Sequence, residues 1–107
     1  MASTTFSVSS GAKVVARFAA ESYCSGAAWC AVRILVDGVE MAGGSGASAA
    51  FDDSDSTSTD EAHSIDRYVA GLGAGAHTFS IEAQIVGGAT SPFFRLDDDT
   101  LVLQTIG

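Results

Sequence analysis

The sequence predicts an all-β fold: an antiparallel β-sandwich of about eight strands, wound as a jelly roll. Three observations carry that expectation. Apolar residues recur at every second position along most of the chain, no stretch shows the 3.6-residue stripe of an amphipathic helix, and glycine, aspartate and serine interrupt the alternation at short intervals. Eight short strands suit a 107-residue two-sheet domain, whereas an α/β fold needs helices of roughly ten residues between strands. The gaps here are too short or too polar for that. Residues 1–107 are therefore expected to form one domain, large enough to bury roughly two thirds of its unfolded surface.

Each strand has its own signal. TFSVS opens the chain. In KVVARFAAES, Val14, Ala16, Phe18 and Ala20 point one way and Val15, Arg17, Ala19 and Glu21 the other. In CAVRILV, Cys30, Val32, Ile34 and Val36 oppose Ala31, Arg33 and Leu35. Asp37-Gly38 follows directly, and Asp-Gly suits the positive φ angles of a type I′ hairpin, with Val39 to Met41 as the return strand. A long polar stretch holds a short strand near Ser48–Asp52 and then an acidic loop. Residues His63–Ala70 alternate again, and GLGAGA turns into HTFSIEAQIV, the cleanest amphipathic strand in the chain. After GGATSP, the segments FFRL and DTLVLQTI supply the closing strands, with Asp97, Asp98 and Asp99 as a turn that stops edge pairing.

Charge narrows the partners. The net charge is −8, with one lysine and four arginines, Lys13, Arg17, Arg33, Arg67 and Arg95. Nucleic-acid binding needs clustered cations to displace counterions from phosphates, so no nucleic-acid partner is expected. No apolar run approaches the roughly 20 residues of a membrane span, so no membrane insertion is expected. MASTTFSVSS has neither the basic nor the apolar region of a signal peptide. The chain contains no asparagine, which removes N-glycosylation.

Few segments offer chemistry. Cys24 and Cys30 bracket CSGAAWC, and a disulfide there closes a small ring worth about 2 kcal/mol in the chain-entropy model; two reduced cysteines are the alternative. Asp52, Asp53 and Asp55 are the calcium candidates, yet the loop pattern fails: counting from Asp53, Ser58 stands where an EF-hand needs glycine and Ser64 where it needs glutamate. GLGAGA has dinucleotide-turn spacing, but a strand follows where a helix N-terminus must hold the pyrophosphate. There is no G-x-S-x-G elbow and no histidine pair at metal-ligand spacing, so no catalytic residues are expected.

Apolar and aromatic side chains are more informative. TLVLQTI is apolar on both faces, with Leu101 and Leu103 on one and Val102 and Ile106 on the other, and Phe93 and Phe94 are adjacent. One-sided burial predicts clean alternation, so a second apolar face calls for a second cover, which another subunit supplies most simply. Phe93, Phe94, Val102 and Ile106 are the expected oligomer contacts. Trp29, Tyr23 and Tyr68 are the candidates for stacking on a sugar ring, with Trp29 placed in a short loop between strands.

Three stretches, VVARFAAESYCSGAAWCAVRILVDGVEM, GLGAGAHTFSIEAQIVGGA and FFRLDDDTLVL, resemble as a set the small β-sandwich domains of bacterial secreted proteins and of phage fibre or tail proteins. AGAHTFSIEAQ is similar to the L-x-AG-x-HT turn and strand of jelly rolls of the complement and tumour-necrosis-factor type. The resemblance implies a non-enzymatic structural or adhesive subunit, extracellular or on a particle surface, forming a homo-oligomer with a trimer first in line. A monomeric carbohydrate-binding module, assisted by calcium and facing a cell-surface glycan, is the alternative.

Overall fold

The computed structural model describes residues 3–26, 29–43, 50–53, 60–87 and 93–106. Among these there are eight β-strands and no helix: β1 (Ser3–Val8), β2 (Ala12–Ser25), β3 (Trp29–Val36), β4 (Val39–Glu40), β5 (Ala50–Asp53), β6 (Glu61–Leu72), β7 (Gly75–Val86) and β8 (Phe93–Ile106). They form two antiparallel sheets. One runs β1-β7-β3-β4, with β5 also paired to β3, and the other runs β6-β2-β8. With no helix among the described residues, none is long and apolar enough to cross a membrane.

The period-2 pattern accounts for the packing. Val14, Ala16, Phe18 and Ala20 of β2 are buried against Val32, Ile34 and Val36 of β3 and Phe79 and Ile81 of β7, with Phe51 and Met41 filling the side. Edge-to-face contact between Phe6 and Phe79 carries β1 into the same core. The alternation expected for β2 is thus present residue by residue, whereas β3 is buried on both faces, with Ala31 and Leu35 as covered as Val32 and Ile34 and only Arg33 and Trp29 half-exposed. β2 alone spans about 46 Å at 3.3 Å per residue, which matches the 47 Å long axis of the molecule.

The Asp37-Gly38 turn takes the positive φ angles that its sequence predicts, 50° and 84°. The disulfide between Cys24 and Cys30 is formed, with Cα atoms 6.1 Å apart; it ties the end of β2 to the start of β3 and so links the two sheets. Two expectations are revised, for Trp29 and for the closing segment, and the short strand near Ser48–Asp52 is present where it is described. Trp29 begins β3 rather than lying in a loop, because it pairs with both Val86 and Asp53. The short strand begins among the described residues at Ala50; Ser48 and Ala49 lie outside them. FFRL and DTLVLQTI form one strand, β8, and the aspartates between them make a bulge rather than a turn. Asp98 and Asp99 together oppose Ala20, and Asp98 adopts φ 49°, which inserts an extra residue without ending the ladder.

The flanks of the smaller sheet are thinly covered. No residue of β6 or β8 is fully buried; Ile65, Val69, Leu96, Leu101 and Leu103 pack half-buried against the core that β2 completes.

Candidate functional site

The buried row of β2 is apolar from Val14 to Ala20 and then turns polar at Ser22, which is 1% exposed. A buried hydroxyl needs partners. Ser22 finds two, from different sheets. Its hydroxyl donates to Asp52 Oδ2 at 2.7 Å and lies 2.7 Å from His63 Nδ1. Because the single hydroxyl proton goes to the carboxylate, Ser22 Oγ accepts from an Nδ1–H of the imidazole. His63 Nδ1 stands 3.8 Å from Asp52 Oδ2.

The strand register produces this meeting. Asp52 lies on β5, which pairs with β3 opposite Cys30, while Glu61 and His63 lie on β6 opposite Ser22 and Ala20. Glu61 and His63 are two residues apart on one strand and therefore face the same way. The imidazole packs on Phe51, with centroids 5.7 Å apart, and Phe51 packs on Phe18 at 5.7 Å, so the ring rests on the core. Asp52 is only 6% exposed, yet among the described residues the one basic side chain near its carboxylate is the His63 imidazole, at 3.8 Å. All five lysines and arginines are engaged elsewhere. Lys13 lies over the Tyr68 ring, Arg17 holds Asp66, Arg33 holds Glu40 and Glu82, Arg67 donates to the Asp66 carbonyl and Arg95 holds Asp60.

Serine, histidine and aspartate are together, but not in the order of acyl-transfer catalysis. There the imidazole stands between hydroxyl and carboxylate, so that it can take the hydroxyl proton. Here the hydroxyl stands between the other two and already gives its proton to Asp52. The arrangement suits holding a cationic group against a buried carboxylate.

The residues singled out from the sequence distribute unevenly. Asp52 joins the cluster. Asp53 closes β5 without a described side chain, and Asp55 lies outside the described residues. Trp29, Tyr23 and Tyr68 do not form one platform. Trp29 points to the outer face of the five-stranded sheet and Tyr23 to the outer face of the other, since their neighbours Cys30 and Cys24 both point inward. Tyr68 shares Tyr23's face but sits opposite Val15, eight residues along β2, about 26 Å away. Tyr23 instead packs against Phe93, with centroids 5.6 Å apart, while Phe94 turns inward opposite Cys24.

Sequence reasoning missed Ser22 and the grouping of Glu61 and His63 with Asp52. The signal was present in part, as a serine in an otherwise apolar buried row and a Glu-x-His pair on one strand face. No protein-family model, curated protein or solved structure matches this chain.

Proposed function

We propose that the chain is a self-associating β-sandwich subunit, a non-enzymatic structural or adhesive unit of the fibre, tail or particle-surface kind, acting outside the cell as a homo-oligomer, with a trimer first in line. The observation that supports this reading is the outer face of the β6-β2-β8 sheet. Val102 and Ile106 are 55% and 48% exposed there, beside half-buried Val15 and exposed Tyr68. A second copy is the occupant that the charge pattern favours. The register places Lys13, Arg17 and Arg95 on this face with Glu21, Asp66 and Asp97, and Asp98 stands beside Glu21 and Asp97, so three cations meet four anions in a chain whose net charge is −8. Two copies can thus bring these faces together while keeping most of their acidic excess apart. The alternation of long strands between sheets, with β1, β3 and β7 in one and β2, β6 and β8 in the other, supports the jelly-roll winding.

Light scattering at micromolar concentration tests the reading. The protein is expected to run as an oligomer, and Val102→Asp or Ile106→Asp is expected to release monomers. Val39→Asp, at an exposed position in the other sheet, is expected to leave the assembly intact. A wild-type monomer overturns the proposal. The second reading, a monomeric glycan-binding module, draws support from the Tyr23–Phe93 ring pair beside the Arg95–Asp60 ion pair. A glycan array decides it: Tyr23→Ala should abolish any sugar binding, and an array without signal removes the reading.

A further inference from the structure

We infer that Asp52, Glu61 and His63 form a divalent-metal site at the disulfide end of the sandwich, selective for zinc-like ions over calcium. One oxygen from each carboxylate and one ring nitrogen lie within 4.8 Å of one another. The donor set is one imidazole and two carboxylates, the chemistry of a borderline divalent ion with three protein ligands and room for water. Calcium takes six to eight oxygens, which this cluster does not offer.

Two further observations point to a cation. Asp52 is almost wholly buried, and no lysine or arginine reaches it. A buried carboxylate without a compensating cation is costly, so the pocket favours an ion that supplies the missing charge. The partners are also held ready. Ser22 bridges Asp52 Oδ2 and His63 Nδ1 and sets them 3.8 Å apart, close to the roughly 3.4 Å between two ligands each about 2.1 Å from a tetrahedral ion. An ion bound at Nδ1 takes the place of the proton there, which leaves the ring protonated at Nε2 alone and frees the imidazole from Ser22, while the Ser22 hydroxyl goes on donating to Asp52. The site joins β5 of one sheet to β6 of the other, so occupancy clips the sandwich on the side opposite β8. The all-carboxylate group Glu21, Asp97 and Asp98 is exposed, lacks a nitrogen donor and serves as the control.

Isothermal titration of the full chain with zinc chloride, and separately with calcium chloride, tests the assignment, with the His63 ring resonances followed by NMR. One zinc per chain is expected, together with a higher melting temperature and a shift of the His63 ring signals. Glu61→Gln and His63→Gln should each weaken binding by about tenfold or more, since even indirect partners of a metal ligand are worth that much. Glu21→Gln should change nothing. Glu61 is exposed, so its variant carries the test even where His63→Gln folds poorly. The assignment is overturned by absence of one-to-one zinc binding up to about 1 mM, by wild-type affinity in Glu61→Gln, by unmoved His63 resonances, or by calcium binding as tightly as zinc.

Discussion

The two ends of β3 each hold a histidine beside an aspartate, and the two pairs differ in how completely they are satisfied. At the turn end, His77 Nδ1 meets Asp37 Oδ2 directly at 2.6 Å while its Nε2 lies 2.7 Å from the Gly73 carbonyl. Asp37 also accepts from the Thr78 N–H at 3.0 Å. Every polar atom of that imidazole is engaged, and the pair locks the hairpin to β7. At the disulfide end, His63 reaches Asp52 only through Ser22, and the carboxylate is the buried member. Saturated groups hold a structure in place, whereas a buried charge with one indirect partner leaves capacity for a ligand. The same two residue types therefore serve different ends according to their neighbours.

That contrast can be tested from its foundations outward. The two ends share one core, with Phe18 beneath the disulfide end and Phe79 toward the turn end, both fully buried. Truncation of either to alanine is expected to cost about 3–5 kcal/mol in urea denaturation. A much smaller loss for one would show that its end is packed independently. Removing the disulfide by Cys24→Ala with Cys30→Ala is expected to cost about 2 kcal/mol by the same measurement. Ser22→Ala should cost about 1–2 kcal/mol, because it strips the buried Asp52 carboxylate of its hydroxyl donor. If Ser22→Ala were neutral, the bridging role of the hydroxyl would fail.

The smallest effect is expected from pH at the turn end. The Asp37 carboxylate, and after it the Gly73 carbonyl, raises His77 above its ordinary 6.5, while the imidazole and then the Thr78 N–H lower Asp37 below 3.8. A raised histidine contributes stability that is complete below 6.5 and fades as pH rises through its folded value. A lowered aspartate contributes stability that is complete above 3.8 and fades as pH falls through its folded value. The pair is therefore at full strength between pH 3.8 and 6.5. Melting temperatures measured from pH 4 to 9 should fall above that window in the wild type and flatten in Asp37→Asn, which keeps a residue tolerant of the turn's positive φ.

Local pattern carried the individual strands of the fold. The alternation in β2 and β3 assigns each side chain to a face, and Asp37-Gly38 sets its turn, because both depend on residues adjacent in the chain. The closing segment was harder to read. Asp97, Asp98 and Asp99 have the composition of a turn, but β2 continues alongside them and the ladder absorbs Asp98 as a bulge. Aromatic residues close in sequence were equally misleading, since Tyr23 and Trp29 are six positions apart yet face opposite sides of the sandwich.

From the sequence alone came the all-β class, the inward row of β2 and the turn that joins β3 to β4, since a period of two is a local property of the backbone. Only the tertiary structure decided that Ser22, Asp52, Glu61 and His63 meet. That meeting depends on the register of β2 with β6 and of β3 with β5, pairings between residues about 20 to 60 positions apart that no local pattern specifies.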